Sequence, residues 1–251
     1  MIINKVYHLA DLHIRNLQRH KEYRLVFKKF LKQVKEDNIE DSIIYLAGDI
    51  AHAKTEMSPE LIHEISWFLT ECAKLRETVV ITGNHDCNLN NSHRLDVLTP
   101  IIDNLNNDRI HYLRDTGVYN IYNLTFCVYS ILDDKENWPK GNTVVGENTI
   151  CLFHGPVNKA QTDIGYTVSS NSFQVDMFDG FDMAMLGDIH KRQTFGPGYE
   201  HIAYAGSMVQ QNHGEMLENH GYLLWDIPTR TFTEHHIHND YGFLTVDVVD
   251  G

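Results

Sequence analysis

Residues 42–52, SIIYLAGDIAH, run as a near-continuous apolar segment to Ala47 and then meet Gly48, Asp49 and His52. Six residues of this kind are too few for a helix and suit a buried strand whose end delivers polar side chains to a loop. The segments on either side read as helices. Residues 21–37 place Tyr23, Val26, Phe27, Phe30, Leu31 and Val34 on one helical face. Residues 58–75 open on Ser58-Pro59, a cap followed by a first-turn proline. Further out, 2–9 (IINKVYHL) and 78–82 (TVVIT) read as strands. Strand, helix, strand, helix, strand is the order of a mainly parallel α/β sheet.

The rest of the chain is richer in strands, near 110–113, 117–121, 124–130, 149–153, 182–186, 200–204, 221–227 and 230–238. Short turns between them predict antiparallel or mixed pairing. The fold class is therefore α/β, with two mixed β-sheets brought together and helices outside. Residues 1–240 read as one domain. In 241–251, YGFLTVDVVDG, the alternation of Leu244, Val246 and Val248 reads as the start of a further strand or of a C-terminal region that is truncated here.

Composition narrows the function. Of 251 residues, 42% are hydrophobic and 22% charged, the balance of a water-soluble globular protein. No apolar run approaches the roughly 20 residues that span a bilayer, and MIINKVYHLADLH lacks the layout of a secretory signal. A cytoplasmic location is expected, that of the host if the chain is phage-encoded. Cys72, Cys87, Cys127 and Cys151 are scattered, which predicts reduced, buried thiols. A formal charge of −13 excludes a protein that coats nucleic acid non-specifically, because that mode needs many cationic contacts to phosphate. Sixteen histidines are more than such a chain ordinarily carries.

Five strands deliver their polar residues to one rim: Asp11 and His13, Gly48 to His52, Gly83-Asn84-His85-Asp86, His154-Gly155, and Gly187-Asp188-Ile189-His190. In open α/β sheets ligands collect beyond the carboxyl ends of the strands. Asp11 and His13, like Asp188 and His190, are two apart, so on an extended chain each pair points the same way. Adjacent Asn84 and His85 diverge, so one can ligate while the other faces substrate. Carboxylate, amide oxygen and imidazole favour Mn, Fe or Zn over metals that prefer thiolate. The set is large enough for two ions, a recurring device for phosphoester hydrolysis in which a hydroxide is held between them. Asp49 is the carboxylate best placed to bridge. An isolated aspartate after a strand is usually a cap or turn residue, but caps do not explain imidazoles at four strand ends.

D-x-H, G-D, G-N-H-D, H-G and G-x-x-H, in that order from residue 8 to about 190, resemble the calcineurin-like metallophosphoesterases. GDIAH, HLADLHIRN, LGDIHKRQ and YAGSMVQQNHGE are closer to the SbcD-type nuclease subunits of double-strand-break repair, including the phage recombination endonuclease subunit. The resemblance implies a four-layer α-β-β-α sandwich and a two-metal DNA exonuclease and endonuclease that works with an SMC-like ATPase, with a homodimer possible. It implies one ion on Asp11, His13, Asp49 and His190, and a second on Asp49, Asn84, His154 and residue 188. Most relatives have histidine at that last position. Here Asp188 makes the site harder and more negative, which points to Mn, with Mg as the alternative.

His85 is assigned to the phosphate, as transition-state stabiliser and general acid, with His52 assisting. Asp86 reads as support, orienting an imidazole or a backbone group. Arg15, Lys191 and Arg192 are candidates for DNA backbone contacts, although single surface charges are often only solvated. His213, in GSMVQQNHGE, is a minor candidate for a substrate contact. His236 and His238 would share a strand face, yet no carboxylate in the segment completes a metal site. The alternative function is a metallophosphoesterase acting on small phosphodiesters or phosphoproteins. Protein phosphatases of this superfamily typically carry GDxxDRG and GNHE, whereas this chain has GDIAHAK and GNHD.

Overall fold

The computed structural model describes residues 1–54, 56–169, 171–246 and 248. The first sheet takes β1 (Lys5–Leu9), β2 (Ser42–Leu46), β3 (Glu77–Val80) and β4 (Ile110–Tyr112) in parallel. The hairpin of β11 (Gly221–Asp226) and β12 (Thr231–His236) completes it, with β11 antiparallel to β1. The second sheet has the order β5 (Gly117–Ile121), β6 (Leu124–Tyr129), β7 (Thr149–His154), β8 (Met183–Gly187), β10 (Ile202–Tyr204) and β9 (Gln193–Thr194). Strands β6, β7, β8 and β10 are parallel, and the edge strands β5 and β9 are antiparallel. Both sheets are thus mixed, as expected.

Three helices, α1 (His20–Asp37), α2 (Pro59–Leu75) and α3 (Leu98–Leu105), cover the outer face of the first sheet. Ser58 caps α2 through its hydroxyl, which accepts from the Leu61 amide at 3.2 Å. Phe27 of α1 stacks on Phe68 of α2 with centroids 4.2 Å apart, a contact of about 0.5–1.5 kcal/mol beyond its burial. The sequence reading did not include α3. It has eight residues, too few for a convincing helical period, and its start is set by Asp96, whose carboxylate accepts from the amides of Leu98 and Thr99. The outer face of the second sheet carries three short 3-10 turns, Lys135–Asn137, Gly141–Thr143 and Val175–Phe178, over an aromatic cluster that includes Tyr129, Trp138, Phe153 and Phe178.

Between the sheets lies a third apolar layer containing Val6, Tyr45, Phe126, Leu152, Met185 and Trp225. The four cysteines are free and buried. Among the described residues no helix is long and apolar enough to cross a membrane. Residues 241–246 and 248 form no strand, and the rest of that segment lies outside the described residues.

One polar side chain sits in the inter-sheet layer. His8 is fully buried, stacks on Tyr45 at 5.1 Å, and accepts from the Trp225 indole N–H through Nδ1 at 3.2 Å. Burial pushes its pKa from 6.5 down to about 3. Between those values the unfolded chain holds one more proton than the folded one, so stability falls as pH drops through that window. The slope is at most about 1.4 kcal/mol per pH unit. Urea denaturation of wild type and His8→Phe between pH 7 and pH 4.5 should give diverging curves, the variant losing less stability on acidification; parallel curves would contradict the assignment.

Candidate metal centre and active site

The carboxyl ends of β1, β2 and β3 in one sheet face those of β7 and β8 in the other, and the motif residues leave these five ends. The chain does not leave them extended. Asp11, His13, Asp49 and Asp188 have φ of 53°, 45°, 51° and 98°. Each such non-glycine conformation costs of order 1–3 kcal/mol and persists only where the surroundings over-determine it. Asp11 and His13 therefore do not share a face by strand alternation, contrary to the expectation from their spacing. The curled loops aim these side chains inward.

Backbone hydrogen bonds hold the curl. Asp86 accepts from the amides of Gly83, Ala51 and Ile50 at 2.9, 2.8 and 3.3 Å, so it orients backbone and ties the GNHD loop to the GDIAH loop. Asp49 Oδ1 accepts from the His85 amide at 2.7 Å. Across the sheets, the Asp188 amide donates to both carboxylate oxygens of Asp11, at 3.1 and 3.2 Å, and His154 Nδ1–H donates to the Ala47 carbonyl at 2.6 Å. Packing leaves no room at the motif glycines: a Cβ on Gly83 would lie 2.1 Å from Asp49 N and Oδ1, and one on Gly187 would lie 2.3 Å from the Ala47 carbonyl.

The ligating atoms then converge. His13 Nε2 is 3.0 Å from His190 Nε2 and 3.5 Å from Asp49 Oδ2, and His190 Nε2 is 4.0 Å from Asp11 Oδ1. His154 Nε2 is 3.3 Å from the same Asp49 oxygen, 3.8 Å from Asp188 Oδ1 and 3.0 Å from the Asn84 amide oxygen. Asp49 thus stands between two donor groups, where a bridging carboxylate belongs. The Asn84 oxygen faces only acceptors. A half-turn of the amide would instead put its nitrogen 3.3 Å from Asp49 Oδ2 and 3.2 Å from Asp188 Oδ1. Lone pairs from two carboxylates, an amide and an imidazole pointing at one place suit a divalent cation of the hard-to-borderline class.

Electrostatics agree with that fit. Burial pushes the Asp11 carboxyl up to about 7 against the pull of His190 and His154, and burial also raises Asp188. Burial alone would raise Asp49 too, but His154 and His13 hold it well below the ordinary carboxylate range. So many buried carboxylates in one place need compensating positive charge.

His85 Nδ1–H donates to the His52 carbonyl at 2.8 Å, which leaves Nε2 as its free nitrogen, and the two rings stack at 5.4 Å. Burial, then Arg15 and His85, push His52 down to about 4. Arg15 donates to the Gln211 carbonyl at 3.0 Å, and Lys191 lines the same cavity as His190. Arg192 lines that cavity too, but its side chain is 9% exposed and donates to the Ala205 carbonyl and Glu234. It braces the β11–β12 hairpin through Glu234. His213 packs on Phe243, His235 on Tyr222, and His238 pairs with Asp240.

Sequence reasoning missed Glu215. Its carboxylate accepts from His190 Nδ1–H at 2.7 Å and from the Gln211 amide at 2.8 Å. Burial would disfavour a charged His190 ring, but Glu215, with Asp11 and Asp49, pushes it up to about 9. The glutamate closes GSMVQQNHGE, and nothing in spacing alone marks it as a histidine partner.

The packing makes Gly83→Ala informative. It should lower stability by about 1–3 kcal/mol and weaken Mn binding at least tenfold, because the added carbon collides with Asp49. Thermal melting and calorimetric Mn titration check both; unchanged Mn affinity would contradict the close approach.

The calcineurin-like phosphoesterase family model matches residues 4–192. The chain is 42% identical over 262 residues to the uncharacterized protein R555 of Acanthamoeba polyphaga mimivirus, a match over 99% of this chain that spans 19% of R555. TT1561 of Thermus thermophilus shares the fold, with a TM-score of 0.55 at 10% identity, over 94% of this chain and 100% of that one. With these motifs at the facing strand ends and the family match over most of its length, the chain belongs to the calcineurin-like phosphoesterase family.

Proposed function

We propose that the chain is a two-metal DNA nuclease, the phosphodiester-cleaving subunit of a recombination or repair complex. The observation that carries this reading is the convergence of the ligand set at one rim with His85, His52, Arg15 and Lys191 beside it. Asp11, His13, Asp49 and His190 would hold one ion, and Asp49, Asn84, His154 and Asp188 the other. When bound, such ions neutralise charge on the phosphate oxygens and supply a nucleophile at neutral pH.

The protein's own groups do the rest. The His52 carbonyl fixes the His85 ring through Nδ1 and leaves Nε2 free, the nitrogen that would donate a proton to the leaving oxygen. Glu215 orients His190, as the Ala47 carbonyl orients His154. Asp188 replaces the imidazole usual at its position with a carboxylate, which favours Mn or Mg over Zn. Arg15 and Lys191 hold the strand by its phosphates without reading sequence. An SMC-like ATPase, and a second copy of the chain, would supply further DNA grip to a subunit whose net charge is −13.

End-labelled linear duplex DNA should be cut with Mn, less well with Mg, and not in chelator. His85→Ala should slow cutting about 10²–10⁴-fold, and Asp188→His should move the preference toward Zn. DNA left intact while bis(p-nitrophenyl) phosphate is hydrolysed with the same metals would overturn the nuclease reading in favour of small phosphodiesters.

A further inference from the structure

We infer that an apolar cleft opening beside Asn84, His154 and Asp188 is a base subsite, which takes one unstacked nucleobase of the strand being cut. The inference rests on the nuclease reading and adds where the substrate's base goes. The cleft encloses about 500 Å³, within the range of small-ligand sites. Its walls include Leu89, Ile131, Trp138 and Phe173, and His154 and Asp188 stand at its inner end. Leu89 is 47% exposed, a large apolar side chain on a loop with no core to fill.

Charge separates the two ends of the site. Arg15 lies by His52 and Lys191 by His190, at the end where His13 and His190 meet. The cleft opens at the other end, where exposed Asp133, Asp134, Lys135 and Glu136 line it with three carboxylates against one ammonium. The net negative charge disfavours a run of phosphates along this wall. A neutral, flat base can enter, and carboxylate oxygens suit the exocyclic amines of adenine and cytosine. With a phosphate at the metal ligands, the attached base is the part of a nucleic acid nearest the cleft.

Entry requires the base to leave its stack, which costs least at a strand end or in a single strand. The geometry therefore favours bonds next to a terminal or unpaired nucleotide over the interior of a duplex.

A nucleoside tests this directly, because it carries no phosphate and is not a substrate. Deoxyadenosine is titrated into the protein as purified while tryptophan fluorescence is followed. Trp138 lines the cleft, Trp225 is fully buried between the sheets, and Trp67 lies under Arg24. Saturable quenching is expected, weakened at least tenfold in Leu89→Glu, a half-exposed position whose substitution leaves the fold intact by thermal melting. Absence of saturable quenching, or equal affinity in Leu89→Glu, would overturn the subsite. Saturable binding weakened in Leu89→Glu, with DNA left uncut, would uphold a base-binding cleft and overturn the nuclease reading alone; DNA cleavage without nucleoside binding overturns the subsite alone.

Discussion

Asp49 ties the molecule together: one of its carboxylate oxygens lies 3.5 Å from His13 Nε2, on the first sheet, and 3.3 Å from His154 Nε2, on the second. A buried carboxylate facing imidazoles from two sheets stays charged only if the sheets approach to that distance. The approach in turn needs glycine at 48, 83 and 187, because any side chain there meets Asp49, His154 or the facing backbone. The left-handed turns at Asp11, His13, Asp49 and Asp188 follow from the same demand. The strands end, and their loops must curl into the narrow gap between sheets. Stability is spent at this rim and recovered in three apolar layers.

Much of this was legible in the residues. Buried strands announce themselves as short apolar runs, so the ends of β1, β2, β3, β7 and β8, and hence the rim, can be placed from the sequence. Asp49 could be singled out because a carboxylate after a glycine at a central strand end has two oxygens to share. Asp86 was recognisable as support, and the structure specifies its partners as three backbone amides.

What was hidden depends on tertiary contacts that spacing does not encode. Asp11 and His13 do converge, but through a curled loop and not through strand alternation. Helix α3 owes its start to one aspartate cap. Glu215 reaches His190 from a loop 25 residues away. Arg192 sits beside a ligand in sequence, yet a neighbouring hairpin captures it through Glu234. Adjacency in sequence to a site residue proved a poor guide to where a long side chain points.

The central claim is that Asp49 serves two ions at once, and calorimetric titration with Mn tests it most directly. The account predicts two ions per chain, with Asp49→Asn losing tight binding of both together while the protein stays folded. A single ion per chain, or a variant that loses one ion and keeps the other at full affinity, would contradict it.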